Sequence, residues 1–206
     1  MRIDEEGRSE LHRAITSRDL GLVRQLVTEC DILLKDTTGI TPLHLSALLG
    51  DYEITECLMC NLDSGRVSLE ALKNKSGKTP LDCAVAKKHL SVVGVLGKWK
   101  PELIGSVDSL GRSALHVAAA TDQPDMVALL IQLGARVDVV DGEGVCPGMM
   151  AVQDEAVSAL RVLLELAPGM DMHSWWVIPD KAGKTSIDHI RSSKVALLFR
   201  DAGFIE

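Results

Sequence analysis

The sequence predicts an all-α solenoid of about six helix-turn-helix repeats. Three recurring features lead to this prediction: an Asp or Asn three residues before a Gly, a helix-start signal two residues after that Gly, and a second apolar segment further along. The three recur together at a period of about 33 residues, the size of a small helical unit that cannot bury its apolar face alone. Neighbouring units must therefore stack on each other.

The Asp/Asn–Gly spacing marks the start of each repeat. Glycine at such a position is typical of a tight turn that needs positive φ or a bare backbone. The six pairs are Asp4–Gly7, Asp36–Gly39, Asn74–Gly77, Asp108–Gly111, Asp141–Gly144 and Asp180–Gly183. Two insertions lengthen the period. The polar one, Asn61 to Glu70, is expected to form a loose loop.

A helix start follows each of these glycines. The clearest are Thr41-Pro42-Leu43-His44, Thr79-Pro80-Leu81-Asp82 and Ser113-Ala114-Leu115-His116, with weaker versions beginning at Ser9, Cys146 and Thr185. Thr or Ser caps a helix N-terminus, and Pro is well tolerated at the first helical position. The second apolar segments, which predict the second helix of each pair, are Val23–Val27, Ile54–Met59, Val92–Leu96, Met126–Leu133 and Leu160–Leu166.

These motifs resemble the ankyrin-repeat family, whose signature is T-P-L-H-x-A in a 33-residue unit. The resemblance covers essentially all 206 residues, and it implies β-hairpin fingers between paired helices in a single ankyrin-repeat domain over 1–206. His12, His44 and His116 share one slot, where the resemblance implies hydrogen bonds that link adjacent turns. With the first and last repeats as caps, the expected repeats are approximately 4–35, 36–73, 74–107, 108–140, 141–179 and 180–206.

Composition and charge exclude several classes of protein. The chain is 46% hydrophobic and 25% charged, which argues against both disorder and a membrane span. Its formal charge of −7 and its 3% aromatic content argue against nucleic-acid binding. An acidic N-terminal sequence and an odd number of cysteines, five, favour reduced thiols in the cytoplasm or nucleus.

The resemblance implies a protein without a catalytic site that binds other proteins through its finger tips and concave helix face. We therefore expect a non-enzymatic interaction module, an adaptor, scaffold or inhibitor, that is monomeric alone and needs no cofactor or metal. The alternative is a regulatory or targeting domain of a larger multidomain enzyme or signalling protein. Fold alone does not decide between them.

The predicted partner-binding residues lie at the finger tips and in the insertion before the sixth repeat. Adjacent tryptophans in a loop cannot easily face one core, and tryptophan is enriched among residues that dominate binding energy. The alternative is that one tryptophan only fastens the long finger to its neighbours. The predicted residues are Thr38, Ile40, Lys75, Lys78, Leu110, Arg112, Glu143, Val145, Trp175, Trp176, Lys181 and Lys184.

Charge is distributed unevenly along the chain. Residues 73–100 contain seven lysines and one acidic residue, whereas residues 108–171 contain ten acidic residues and three arginines. Such a pattern predicts either a dipolar surface that orients a partner or lysines that only keep the surface soluble.

No motif of an enzyme or a metal site stands out. Cys57-Leu58-Met59-Cys60 matches C-x-x-C, but zinc would need two further ligands at a suitable spacing. We expect a buried pair of cysteines on one helix face. His89 looks isolated, and Gly94 weakens an expected helix by about 1 kcal/mol relative to Ala.

Overall fold

The computed structural model describes residues 3–166 and 178–203. Within these ranges the chain is helical and contains no strand, so the predicted fingers are tight turns. Short 3-10 turns follow at Glu70–Leu72, Pro101–Leu103 and Ile187–His189. The helices are α1 (Glu10–Thr16), α2 (Leu20–Leu26), α3 (Pro42–Leu49), α4 (Tyr52–Cys60), α5 (Pro80–Ala86), α6 (Leu90–Trp99), α7 (Ala114–Ala120), α8 (Pro124–Gln132), α9 (Pro147–Gln153), α10 (Val157–Leu166) and α11 (Ser193–Asp201).

The chain consists of two compact units, Met1–Ser109 and Leu110–Glu206. In the first unit the inner helices α1, α3 and α5 pack side by side, the outer helices α2, α4 and α6 do the same, and each inner helix contacts its own outer helix. In the second unit α7 packs on α9, α8 packs on α10, and α11 contacts α10. The single domain and the six repeat boundaries remain predictions.

Five of the six predicted helix starts are confirmed at the level of single hydrogen bonds, but Thr185 is followed only by the 3-10 turn Ile187–His189. The side chain of Thr41 accepts the N–H of His44, and Pro42 occupies the first helical position. Ser9, Thr79 and Ser113 form the same capping box with the residue three positions later. In the fifth repeat the thiol of Cys146 takes this role and accepts the N–H of Met149 at 3.4 Å.

Equivalent apolar positions of the repeats form the core. The leucine after the first helical position is buried in four repeats: Leu11, Leu43, Leu81 and Leu115. The outer helices contribute Val23, Leu58, Leu96, Leu130 and Leu163, each with no exposed surface. In the fifth repeat Gly148 stands in the leucine slot.

A histidine in the third helical position bridges each of three repeats to the next finger. His44 Nδ1 accepts the backbone N–H of Thr41 at 3.3 Å, so the proton of the neutral ring lies on Nε2. That Nε2–H donates to the carbonyl of Lys78 at 3.0 Å, 34 residues along the chain. His12 donates in the same way to Ile40, and His116 to Val145. The bridges implied by the family resemblance are therefore present.

Burial favours the neutral imidazole in His12 and His44. It lowers the pKa of His44 from 6.5 to about 4, opposed by the hydrogen bond to the carbonyl of Lys78. Burial also lowers the pKa of His12, where the carbonyl of Ile40 opposes the shift. A proton added to Nδ1 of His44 would also displace the hydrogen bond that this nitrogen accepts from the N–H of Thr41.

The third repeat has a carboxylate in the histidine slot. Asp82 Oδ2 accepts the N–H and the hydroxyl of Thr79, both at 2.7 Å. Burial raises the pKa of Asp82 to about 6, against the opposing effect of these two bonds. The ionised group has no proton to donate onward, so Asp82 caps its own helix and cannot act as the histidines do.

Three expectations about local structure prove wrong. The insertion from Asn61 to Glu70 is not loose, because Val67 is buried and the ammonium of Lys100 donates to the carbonyl of Ser64 at 2.8 Å. His89 is not isolated. Its Nε2 donates to the carbonyl of Leu48 at 3.2 Å, and its ring packs where a side chain on Gly50 would lie.

The third error concerns the C-x-x-C pair. Cys57 is half-buried and Cys60 is exposed. The core-facing positions of α4 are instead Ile54, Thr55, Leu58 and Met59. The two cysteines share a helix face, as expected, but that face borders a surface cleft.

Two glycines should respond in opposite ways to alanine. Gly94 lies inside α6 with open space where a Cβ would sit, so Gly94→Ala should raise the free energy of unfolding by about 1 kcal/mol. Gly39 has φ of +84°, and an added Cβ would lie 2.7 Å from the amide nitrogen of Lys75. Gly39→Ala should therefore lower the free energy of unfolding by more than about 1 kcal/mol. Urea denaturation measures both, and a change of the same sign in the two variants would contradict the roles assigned to these glycines.

The histidine bridges predict that the free energy of unfolding falls in acid. The folded pKa of His44 lies below its ordinary value, so its contribution is complete above pH 6.5 and is lost as pH falls toward 4. Asp82 acts oppositely, because its raised pKa favours folding as pH falls from about 6 toward 3.8. Asp82→Asn removes the opposing effect. The free energy of unfolding of this variant should fall by about 2 kcal/mol between pH 7 and pH 5, because His44 binds a proton more readily in the unfolded state.

Urea denaturation of Asp82→Asn at the two pH values measures this loss. The matched control is Asp82→Asn with His44→Gln, whose amide can still donate a hydrogen bond but does not titrate. The control should lose less stability over the same interval. An equal loss in both proteins would exclude His44 as the cause.

Candidate functional site

Each finger is a five-residue turn closed by its own Asp or Asn, which we number position one. In the second finger, Asp36 Oδ1 accepts the N–H groups of Thr38 at 2.8 Å and Ile40 at 2.9 Å. The backbone N–H of Asp36 donates to the carbonyl of Ile40. Burial alone would raise the pKa of Asp36, but hydrogen bonds from Thr38 and Ile40 outweigh it and lower the pKa. The equivalent side chains Asp4, Asn74, Asp141 and Asp180 accept the same pair of N–H groups.

Backbone hydrogen bonds join neighbouring fingers into a ladder. The N–H at position two of one finger donates to the carbonyl at position three of the finger before it. In the first unit the bonds are Thr37 to Glu6 at 2.9 Å, Lys75 to Thr38 at 3.3 Å and Ser109 to Ser76 at 3.1 Å. In the second unit they are Gly142 to Leu110 at 2.8 Å and Lys181 to Glu143 at 2.9 Å.

The sixth finger has an additional anchor that no pattern in the sequence indicated. Met149, in the histidine slot of the fifth repeat, has no ring to bridge with. His189 lies beside the sixth finger instead, and its Nε2 is 2.9 Å from Asp180 Oδ2. Hydrogen bonds from Lys184 and then from His189 lower the pKa of Asp180. Because His189 is in a 3-10 turn outside the repeat register, no spacing rule points to it.

The structure exposes six of the ten predicted contact residues that it describes. Ile40, Lys78 and Arg112 are half-buried, and Trp175 and Trp176 lie outside the described residues. Those with exposed side chains are Thr38, Lys75, Leu110, Glu143, Lys181 and Lys184. Leu110 is the most exposed large hydrophobic residue of the described part, at 58%.

Val145 is a poor contact residue, contrary to prediction. Its side chain is only 7% exposed. The reason is its place at position five, where its carbonyl accepts from both Asp141 N–H and His116 Nε2. These two bonds hold the residue against the repeat behind it.

The ladder brings several predicted residues together within each unit. Thr38 and Lys75 are neighbours in the first unit, and Glu143 and Lys181 are neighbours in the second. The first finger was not among the predicted contacts, yet its exposed Glu5 and Glu6 extend the tip surface of the first unit. The Asp4–Gly7 spacing was the signal that could have found them.

The lysines of residues 73–100 do not form one surface. Lys75 is at a finger tip, whereas Lys87 and Lys88 lie at the opposite end of α5 and Lys98 is on α6. Lys100 is buried against the carbonyl of Ser64. Only part of this charge is therefore presented beside the fingers.

Among residues 3–166 and 178–203, no three His, Cys, Asp or Glu side chains are grouped so that they could hold a metal ion. In the same ranges, none of the helices combines the length and the apolar character needed to cross a membrane.

The sequence is similar to parts of several known proteins. The chain is 34% identical over 166 residues to the transient receptor potential cation channel subfamily A member 1 homolog of Caenorhabditis elegans, covering 79% of this chain and 13% of that protein. It is 27% identical over 157 residues to the target of rapamycin complex 2 subunit AVO2 of Saccharomyces cerevisiae, covering 75% of this chain and 36% of that protein. The chain thus spans a minor part of both relatives.

A solved structure shows the same fold. The crystal structure of the ankyrin repeat domain of Bcl-3, described as a unique member of the IkappaB protein family, superposes with a TM-score of 0.84 at 26% identity. The match covers 97% of this chain and 85% of that domain. The family model of ankyrin repeats in three copies matches residues 11–103 and 100–174. The chain therefore belongs to the ankyrin-repeat family, which supports a role as a protein-interaction module.

Proposed function

We propose that this chain is a non-enzymatic adaptor, scaffold or inhibitor that binds a partner protein through its fingers and the inner helices beside them. One observation carries the proposal: the finger backbone is fixed by hydrogen bonds, while the residues at positions two and three of each finger are exposed. A rigid frame with exposed side chains binds at low entropic cost, because the surface is ordered before the partner arrives.

The finger tips of the first unit carry a graded charge. Glu5 and Glu6 lie in the first finger, Thr37 and Thr38 in the second, and Lys75 in the third. The tip surface therefore runs from acidic through neutral to basic within one unit. A partner with the reverse order of charges would be oriented by this pattern, mainly through its association rate.

The tips of the second unit combine apolar and charged groups. Leu110 is next to Gly142 along the ladder, so no side chain at Gly142 covers it. Glu143 and Lys181 follow in the next two fingers. Protein interfaces commonly have an apolar centre and a polar rim. An exposed leucine beside charged residues matches this arrangement.

The inner helices add apolar surface near the fingers. Leu45 and Leu48 on α3 are half-buried, whereas Leu43 and Ala47 of the same helix are buried. Val117 on α7 and Met150 on α9 hold the slot equivalent to Leu45 in their own repeats and are also half-buried. These side chains extend the proposed contact surface from the fingers along the helices of each unit.

The comparisons support binding of this kind and leave room for a larger protein. One relative is by name a subunit of a complex. This chain covers only 36% of it and 13% of the channel relative, which favours the alternative of a regulatory or targeting domain in a longer polypeptide. Cys30, Cys57, Cys60 and Cys83 are free thiols, in keeping with a cytoplasmic or nuclear protein. We further propose a monomer that acts without nucleic acid.

The basic finger provides the first test. Lys75→Glu with Lys78→Glu reverses the charge at the third finger and should reduce capture of a partner protein at least tenfold, since a like-charge contact costs on the order of 1 kcal/mol or more. The matched control, Lys87→Glu with Lys88→Glu, makes the same charge change at the other end of α5. Its backbone is compatible with Glu, because Glu155 occupies the slot of Lys88 with φ of 55° against 64°.

Quantitative affinity capture compares the wild type with the two variants. The informative proteins are those lost with the finger variant and retained with the control. If both variants lose the same proteins, net charge rather than the finger determines binding. If neither loses any, the basic finger is not a contact.

The tryptophan pair gives an independent test. We propose that Trp175 and Trp176 contribute to the contact, and Trp175→Ala with Trp176→Ala should then reduce capture at least tenfold, a change typical of a dominant contact residue. Thermal melting of the same variant tests the alternative, in which a tryptophan only stabilises the long finger and does not contact a partner. A lowered melting temperature with unchanged capture would exclude a binding role.

A further inference from the structure

A pair of thiols lies in a cleft that the proposed binding surface does not use. Cys60 is the last residue of α4 and is exposed, while Cys57 lies one turn earlier and is half-buried. The cleft has a volume of about 410 Å³ and lies between the outer helices α2 and α4 of the first unit. It is lined by Arg24, Glu53, Glu56, Cys57, Cys60 and Asn61.

The spacing of the two cysteines permits a disulfide at this helix end. Residues three apart in an α-helix have Cα atoms about 5 Å apart, within the range of about 4.4–6.8 Å that a disulfide spans. Their Cβ atoms, about 5–6 Å apart, must come closer to about 4 Å. The last turn can tighten in this way because no further turn depends on it. After Cys60 the chain leaves the helix at Asn61, whose side-chain amide donates to the carbonyl of Cys57 at 2.9 Å.

The two thiols have different environments. Burial raises the pKa of Cys57, and the positive charge of Arg24 only partly opposes this. Cys57 is therefore mainly a thiol at neutral pH, whereas Cys60 is open to reagents in solution. The first reaction with a small oxidant should occur at Cys60, with Cys57 beside it to react second.

We propose that Cys60 and Cys57 form a dithiol site that is oxidised by a small disulfide, such as oxidised glutathione, to an intrahelical disulfide. Cys60 loses its proton, and its sulfur attacks one sulfur of the glutathione disulfide. The glutathione S–S bond breaks, and one glutathione thiolate leaves. Cys57 then loses its proton and attacks Cys60 Sγ, which releases the second glutathione thiolate.

The reaction balances without a further reagent. Two protein thiols are oxidised to one disulfide, and one glutathione disulfide is reduced to two glutathione molecules. The two protons lost by the cysteines end on the two glutathione sulfurs. Arg24 assists the second step because its charge favours the thiolate of Cys57.

The other cysteines lack this arrangement. Cys83 and Cys146 are buried, and burial raises the pKa of Cys83 to about 12. Burial also raises the pKa of Cys146. Cys30 is half-buried but lies apart from the C-x-x-C pair in sequence and does not line the cleft. Oxidation by a small disulfide should therefore be confined to Cys57 and Cys60.

The test is to treat the fully reduced 206-residue chain with oxidised glutathione, then alkylate it and analyse its peptides by mass spectrometry. The peptide that contains both cysteines should lack two hydrogen atoms and carry no glutathione, with two glutathione molecules released per chain. A wild-type chain that keeps a glutathione adduct on Cys60 would overturn the proposal, whatever the variants do.

Two variants separate the roles of the thiols, and a third serves as the control. Cys57→Ser should stop at the mixed disulfide on Cys60 and release one glutathione. Cys60→Ser should react at least about tenfold more slowly. Cys30→Ser should behave as the wild type does. Equal rates for Cys57→Ser and Cys60→Ser would contradict the assigned order of attack.

Discussion

The hydrogen bond from a helix-start histidine to the next finger is the interaction on which the repeats depend. In the first repeat one carbonyl, that of Ile40, accepts both His12 Nε2 from behind and Asp36 N–H from within its own finger. Its two lone pairs are thereby satisfied in a place where water is largely excluded. The finger is thus fastened to the preceding helix pair at the same atom that closes the turn.

The neutrality of the histidine makes this arrangement possible. A buried ring accepts one backbone N–H and donates to one carbonyl, which matches the donor and acceptor of a single neutral tautomer. An aspartate can accept the backbone N–H but cannot donate to the carbonyl, as Asp82 shows with Thr79. Methionine reproduces neither, so the sixth finger relies on His189 beside it. The residue in this slot therefore decides how each finger is held, and this decision is local to each pair of repeats.

The helix pairs of the first five repeats were predictable from the sequence because their signals are local. Capping residues, proline at the first helical position and apolar spacing all act within one turn of the helix. The errors concern side chains whose environment comes from a neighbouring repeat. Whether Cys60 meets the core or a cleft depends on α2, about thirty residues away, and the link from His89 to Leu48 spans 41 residues. The spacing within one repeat contains no information on either contact.

The positions that fix the finger backbone are distinct from those that we propose as partner contacts. Ile40 and Val145 are at position five. Ile40 is half-buried and Val145 is buried, because their carbonyls accept hydrogen bonds from histidines of the preceding repeat. Leu110 and Glu143 stand at position three and are exposed, although their carbonyls also serve in the ladder. The repeat spacing alone could not separate these two positions. Since the ladder uses only backbone atoms at the tips, the side chain at position three can change without loss of a ladder bond.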